Sequence, residues 1–199
     1  RMQKLLHRSR LWIHLNARRS RRWVPWICAY TGARVGEIVQ LRKRDVFMRD
    51  GHLVINITPE AVTVKDGEAR MVPLHPHLLE MGIEGFIQGS PDDLLFMWSG
   101  KDRKAWRTAK NRITEFVREH LADPNVQPNH AWRHTFKTRG AEAGIGQRIL
   151  DAICGHEPGT VGEAYTDITV ATMWRAMNEY PPYLISVTSI QEADGRSSF

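Results

Sequence analysis

The hydropathy of this chain changes period twice, and that change limits the architectures open to it. Over residues 20–30 Trp23, Trp26, Ile27 and Tyr30 recur at near-helical spacing, with Ser20 placed as an N-cap and Pro25 expected in the first turns. Thr31-Gly32 breaks the pattern, and Val35, Ile38, Val39 and Leu41 resume it as a second short helix. Between residues 46 and 74 the period falls to two, in β-branched runs at 53–58, 61–64 and 69–74, with Lys65-Asp66-Gly67 as a hairpin turn. Helical periodicity then returns at about 76–88, 102–121, 131–143, 146–153 and 169–179, separated by Gly, Pro and Asn punctuation. The expected fold class is α+β and mainly helical, with one small antiparallel β-sheet and a polar tail over 184–199.

Composition narrows the function classes. With 42% hydrophobic and 25% charged residues in 199, the chain has enough apolar material to bury a core and lies outside the signature of disorder. It contains no apolar run of membrane-spanning length, and no apolar stretch follows its arginine-rich start as a secretory signal would require. Two cysteines, Cys28 and Cys154, are too few for a disulfide framework and read as thiols in a reducing compartment. The net charge of +6 is local: nine basic residues precede the first acid, Glu37, leaving 19 basic against 22 acidic residues downstream. Further basic clusters are Arg42, Lys43 and Arg44, and Lys101, Arg103, Lys104, Arg107, Lys110 and Arg112 interleaved with Trp106. Such clusters suit a phosphate backbone, where lysine and arginine release condensed counterions, and equally suit a solvated helix face.

Four groups of residues carry candidate chemistry. His130 and Arg133 stand three apart in an expected helix and can converge on one ligand, or else His130 caps the helix and Arg133 makes a surface ion pair. Arg34 and Glu37 have the same spacing, with a plain helix ion pair as the alternative. Lys65 reads as a turn lysine and Tyr165 as a packing tyrosine when each is taken alone. His75-Pro76-His77 lacks cysteine or acidic ligands at site spacing, so no metal is assigned. Cys154, among Leu150, Ala152 and Ile153, reads as a buried structural thiol, and Trp132 as a core anchor.

Taken together and in order, these blocks carry a resemblance. Thr31-Gly32-Ala33-Arg34-Val35-Gly36-Glu37-Ile38, then Val64-Lys65 running on to Val72-Pro73-Leu74, then His130-Ala131-Trp132-Arg133-His134-Thr135-Phe136, then Cys154-Gly155-His156 with Tyr165 nine residues on, resemble the catalytic domain of the tyrosine recombinases, the phage-integrase family. The resemblance implies a DNA breaking-and-rejoining enzyme acting in site-specific recombination through a 3′-phosphotyrosyl intermediate. It implies Tyr165 as nucleophile, Arg34 and Arg133 on the nonbridging phosphate oxygens, Lys65 as general acid, His130 assisting proton transfer, His156 bracing phosphate and tyrosine, and Glu37 in support. No cofactor or metal is implied. Arg42, Lys43, Arg44, Lys101, Arg103, Lys104 and Arg107 are the expected DNA-binding residues.

The same resemblance implies double-stranded attachment sites as partners, a homotetramer on DNA, accessory DNA-bending proteins, no membrane, and a bacterial cytoplasmic location. Expected domain bounds are a basic junction over 1–22, the catalytic domain over 23–183 and the tail over 184–199. The start Arg1-Met2 fits a piece of a longer protein, and an N-terminal core-binding domain of the usual kind is expected to be missing from this chain. The apolar face of Met173, Trp174, Met177, Tyr180 and Tyr183 suits either a neighbouring protomer or the chain's own core. Competing readings are a type IB topoisomerase-like strand relaxase and a non-catalytic DNA-binding relic.

Overall fold

The computed structural model describes residues 18–58, 69–91, 93–97, 103–121, 123, 125–156 and 168–184. Helix α1 covers 18–31 and places Trp23, Val24, Ile27, Cys28 and Tyr30 in the core. Ser20 does not cap it. It lies inside the helix, buried, and its hydroxyl donates to the Phe96 carbonyl at 3.3 Å. Pro25 is therefore well within the helix rather than in its first turns. After a break at 32–34 comes the single-turn α2, Val35–Ile38.

A 3-10 turn, Lys43–Asp45, leads into a three-stranded antiparallel sheet ordered β1 (Val46–Arg49), β2 (His52–Ile57), β3 (Arg70–Pro73). The first hairpin closes through Asp50-Gly51, both at positive φ (51° and 80°), the backbone a two-residue turn needs to match strand twist. In register, Ile55 faces Val72 and Ile57 faces Arg70. Val72, Ile55 and Ile57 are buried, so Arg70 stands on the inward face of β3. The expected strand at 61–64 and the turn at Lys65 lie outside the described residues.

The helical remainder is α3 (Pro76–Glu80), α4 (Ile83–Gln88), α5 (Arg103–Glu119), α6 (Pro128–Glu142), α7 (Gln147–Cys154) and α8 (Val170–Glu179). The single helix expected over 76–88 is two, because Gly82 adopts φ 85° at the N-cap of α4. Helix α5 lies against α2: the Trp106 indole donates to the Gly36 carbonyl at 2.9 Å, and a β-carbon on Gly36 would stand 2.8 Å from that ring. Helices α7 and α8 pack on β3. Met173, Ala176, Met177 and Tyr180 are buried in this chain's own core, which assigns the apolar face of α8. Among the described residues no helix is long and apolar enough to cross a membrane.

The segment after α8 is held by an aromatic and histidine cluster. Tyr30 accepts from the Tyr183 amide at 3.0 Å and its hydroxyl bonds His77 Nδ1. Arg139 caps the Tyr183 ring and donates to the Pro181 carbonyl at 2.9 Å. His75 Nδ1 accepts from the His77 amide at 3.0 Å, so its Nε2 carries the proton given to the Tyr180 carbonyl at 2.9 Å. Burial, and then the neighbouring His77, hold the His75 pKa below its usual value against the raising effect of the Tyr180 bond. A depressed histidine binds fewer protons folded than unfolded, so this site loses stability as pH falls through the ordinary histidine range. Thermal melts from pH 7.5 to 5.5 should show a downward slope in Tm, and His75→Asn should lessen it, leaving the part owed to His156, whose pKa is also held down.

Candidate active site

The site is assembled where α1 ends, β3 passes inward and α7 stops. Thr31 folds back to donate its hydroxyl to the Ile27 carbonyl at 2.6 Å and accepts from the Ala33 amide at 3.2 Å, ending α1 in a tight local turn. Gly32 follows at φ 60°, and a β-carbon there would lie 2.5 Å from Cys154 Sγ and 3.0 Å from the Phe136 ring. Only glycine lets the chain turn so close to α6 and α7. That turn delivers Arg34 with its side chain 56% exposed, while Glu37 on the next turn is 5% exposed.

Glu37 is the centre of a buried network. Its Oε2 accepts from the Arg34 amide at 2.8 Å and from Arg70 Nη2 at 2.8 Å, and Oε1 accepts from Arg70 Nη1 at 3.3 Å. Arg70, 14% exposed, also donates Nε to the Ile153 carbonyl at 3.2 Å, and its guanidinium fills the space beside Gly155 where a β-carbon would stand 2.5 Å from Cζ. Burial pushes the Glu37 carboxyl up, but the Arg70 hydrogen bonds and charge, with the Arg34 amide, outweigh it and hold the carboxyl below its usual range. The forked geometry suits a guanidinium and a carboxylate.

Arg133, from α6, is buried. Its Nε donates to the Gly32 carbonyl at 2.8 Å and its Nη2 to the Cys154 carbonyl at 2.6 Å, so it bridges the end of α1 to the end of α7. Among the described residues Nη1 has no hydrogen-bond partner. Burial lowers the Arg133 pKa, Arg34 and Arg70 add to the effect, and Cys154 and Glu37 oppose it. Three guanidinium groups thus influence one another around a single carboxylate. Such an excess of fixed positive charge is relieved by an anion.

Helix α7 ends in a left-handed Gly155 (φ 69°), after which the His156 amide donates to the Asp151 carbonyl at 2.9 Å. The His156 side chain is 39% exposed, with Nδ1 at 3.3 Å from both Asp151 Oδ1 and Lys137 Nζ. Burial, and then the charges of Arg133 and Lys137, hold its pKa down. The Cys154 thiol is buried and pushed up to about 11, with desolvation the leading cause, so it is an inert thiol.

Arg34, Glu37, Arg133 and His156 therefore come together, joined by Arg70, Lys137 and Asp151. His130 is exposed in the first turn of α6, three residues before Arg133; the N-cap position belongs to Gln127, whose side chain makes no capping bond, with Pro128 in the first turn. Lys65 and Tyr165 lie outside the described residues. So does Lys101. Of the other expected DNA-binding residues, Arg42 forks onto Asp45 at 2.8 and 2.9 Å, Lys43 donates to the Gln88 carbonyl at 2.6 Å, and Arg44 pairs with Asp93 at 3.3 Å. Arg103, Lys104 and Arg107 are exposed on α5.

Sequence reasoning gave Arg70 no role. The signal was available: a charged residue sharing a strand face with Val72 is inward-facing and needs a buried partner. His75 and His77, considered as a metal pair, instead spend ring nitrogens on Tyr180 and Tyr30.

The chain is similar to proteins of known family. Tyrosine recombinase XerC of Natranaerobius thermophilus is 26% identical over 164 residues, covering 76% of this chain and 52% of its own length. Tyrosine recombinase XerA of Pyrococcus furiosus is 27% identical over 152 residues, covering 74% and 50%. The chain spans about half the length of the curated relatives it matches. The integrase of mycobacterium phage Brujita shares the fold at a TM-score of 0.58 and 20% identity, over 88% of this chain and 56% of that one. The sequence matches the phage integrase family over residues 4–171, and the chain belongs to that family.

Proposed function

We propose that this chain is the catalytic domain of a site-specific DNA recombinase, an integrase that cleaves and rejoins strands through a 3′-phosphotyrosyl intermediate. The observation that carries the reading is the excess of guanidinium groups around Glu37, with Arg34 exposed beside an Arg133 locked by two backbone carbonyls. A phosphodiester supplies the missing negative charge, and charge growing on its nonbridging oxygens in the transition state is met by donors already in place. The named relatives are tyrosine recombinases, which supports the chemistry.

In this reading the Tyr165 oxygen attacks the scissile phosphorus and the bond from phosphorus to the 5′-oxygen breaks. The tyrosine proton leaves with help from His130, and Lys65 protonates the departing 5′-oxygen. Arg34 and Arg133 hold the nonbridging oxygens, and His156 donates to the phosphate. The substrate is double-stranded DNA carrying attachment sites, inside a bacterial cell. A homotetramer on DNA would draw its contacts from surfaces other than the buried Met173 and Met177 face of α8. The exposed residues Arg103, Lys104 and Arg107 would follow the backbone, their contribution falling with salt.

Incubation with a pool of nicked duplexes of randomised sequence, followed by a denaturing gel, should give a protease-sensitive DNA-linked band. Tyr165→Phe should reduce that band at least about a thousandfold, since the nucleophile itself is removed. An undiminished band in the variant would refute the assignment.

A further inference from the structure

His156 has an unusual pair of neighbours. A carboxylate alone beside Nδ1 fixes an imidazole with its proton on that nitrogen, as in the common carboxylate-histidine pair, and leaves Nε2 a bare acceptor. A bare acceptor repels a phosphate oxygen. Here Asp151 is not alone. Its Oδ1 accepts from Lys137 Nζ at 2.7 Å, its Oδ2 accepts from Gln147 Nε2 at 2.9 Å, and His156 Nδ1 stands 3.3 Å from both Lys137 Nζ and Asp151 Oδ1, with Oδ1 already engaged by the shorter lysine bond. An ammonium carries three donors and can satisfy the carboxylate and the imidazole at once.

We propose that Lys137, anchored by Asp151, donates to His156 Nδ1 and so keeps the neutral ring in the tautomer whose Nε2–H can donate to the scissile phosphate. Lys137 and Asp151 are then positioning residues for the reaction, and this assignment rests on the reading of His156 given above. The charged groups influencing the ring are Lys137 and Arg133 from α6 and Asp151 from α7, with Arg70 of β3 packed beside Gly155. Burial first, and then two cations against one carboxylate, oppose an imidazolium and hold the ring's pKa down. The neutral ring therefore has to do the donating at physiological pH, and only one of its tautomers can.

The test uses the full chain in two arms. Nitrogen-15 spectra of the imidazoles, followed from pH 5.5 to 8.5, report tautomer and pKa for His156, assigned by His156→Gln. The wild type should show Nε2–H above its pKa. Lys137→Met should switch the neutral ring to Nδ1–H and raise the pKa, whereas Asp151→Asn should keep Nε2–H and lower it. Single-turnover cleavage of the nicked duplex pool is the second arm. In Lys137→Met the rate should fall about tenfold per pH unit above the raised His156 pKa, because only the imidazolium then has a donor on Nε2. Lys137→Arg should restore much of the rate. A wild-type ring already in the Nδ1–H form, or a tautomer unmoved by Lys137→Met, would overturn the proposal. A switched tautomer with an unchanged pH profile would instead remove His156 from the phosphate. Absence of any wild-type adduct would refute the proposed function, and the spectra would still decide the tautomer.

Discussion

Arg133→Ala should cost both folding stability and chemistry. The guanidinium pairs the Gly32 and Cys154 carbonyls, and its removal leaves two acceptors unpaired in a buried site together with the space of a large side chain. Each unsatisfied buried acceptor costs about 1–3 kcal/mol, so a loss of about 3 kcal/mol is expected in urea unfolding. Arg133→Lys should recover only part of it, since one ammonium cannot reproduce the fixed fork that spans α1 and α7. In the proposed reaction the same changes should lower single-turnover cleavage at least about a hundredfold, the scale of losing one preorganised transition-state donor. The lysine variant separates the two effects: stability partly restored with cleavage still depressed identifies the guanidinium as a phosphate ligand. Cleavage that tracks stability in both variants would make it a structural brace.

Glu37→Gln is the second large effect. A neutral amide leaves the largely buried Arg70 guanidinium without its countercharge, and breaking such a pair from one side costs about 3–5 kcal/mol. The pH dependence has a definite sign. The folded carboxyl titrates below its unfolded value, so its contribution is in place above the ordinary carboxylate range and is lost as pH falls through the lowered folded value. Acid unfolding of the wild type should therefore be steeper than that of Glu37→Gln. This window lies below the one assigned to His75, so a melt series across both resolves the two groups. Equal acid limbs in the two proteins would contradict the network drawn around Glu37.

What the sequence made legible follows from what each signal measures. Hydropathy period reports which face is buried, and it located α1, α5, α7 and α8 and the sheet as a unit. It does not report where a helix begins, and Ser20, a residue type that suits a cap, is an interior residue tied to Phe96. The break at Gly82 was lost because the apolar spacing of 76–88 survives a left-handed residue. Asp50-Gly51 closes the first hairpin, a turn signal as direct as that of Lys65-Asp66-Gly67. Both alternatives for α8 had the same apolar face, and only the burial of Met173 and Met177 in this chain separates them.

The site was legible as a set of motif residues and not as a network. Arg34, Glu37, Arg133 and His156 were named from their order along the chain. Arg70, Lys137 and Asp151 were not, because their importance lies in partners far away in sequence: Arg70 in Glu37 and the Ile153 carbonyl, Lys137 in Asp151 and His156. Lys137 lies on α6 one turn after Arg133, and Asp151 lies on α7 five residues before His156. Neither spacing announces that the two helices bring them within a hydrogen bond.

In the proposed reaction the guanidinium cluster serves a phosphate attacked by Tyr165. The most direct measurement is to trap the covalent adduct on the nicked duplex pool, digest protein and DNA, and locate the attachment by mass spectrometry. The expected product is a nucleotide joined through its 3′-phosphate to the peptide containing Tyr165, with the complementary fragment ending in a 5′-hydroxyl. A phosphate on any other residue, or a 5′-phosphate linkage, would contradict it.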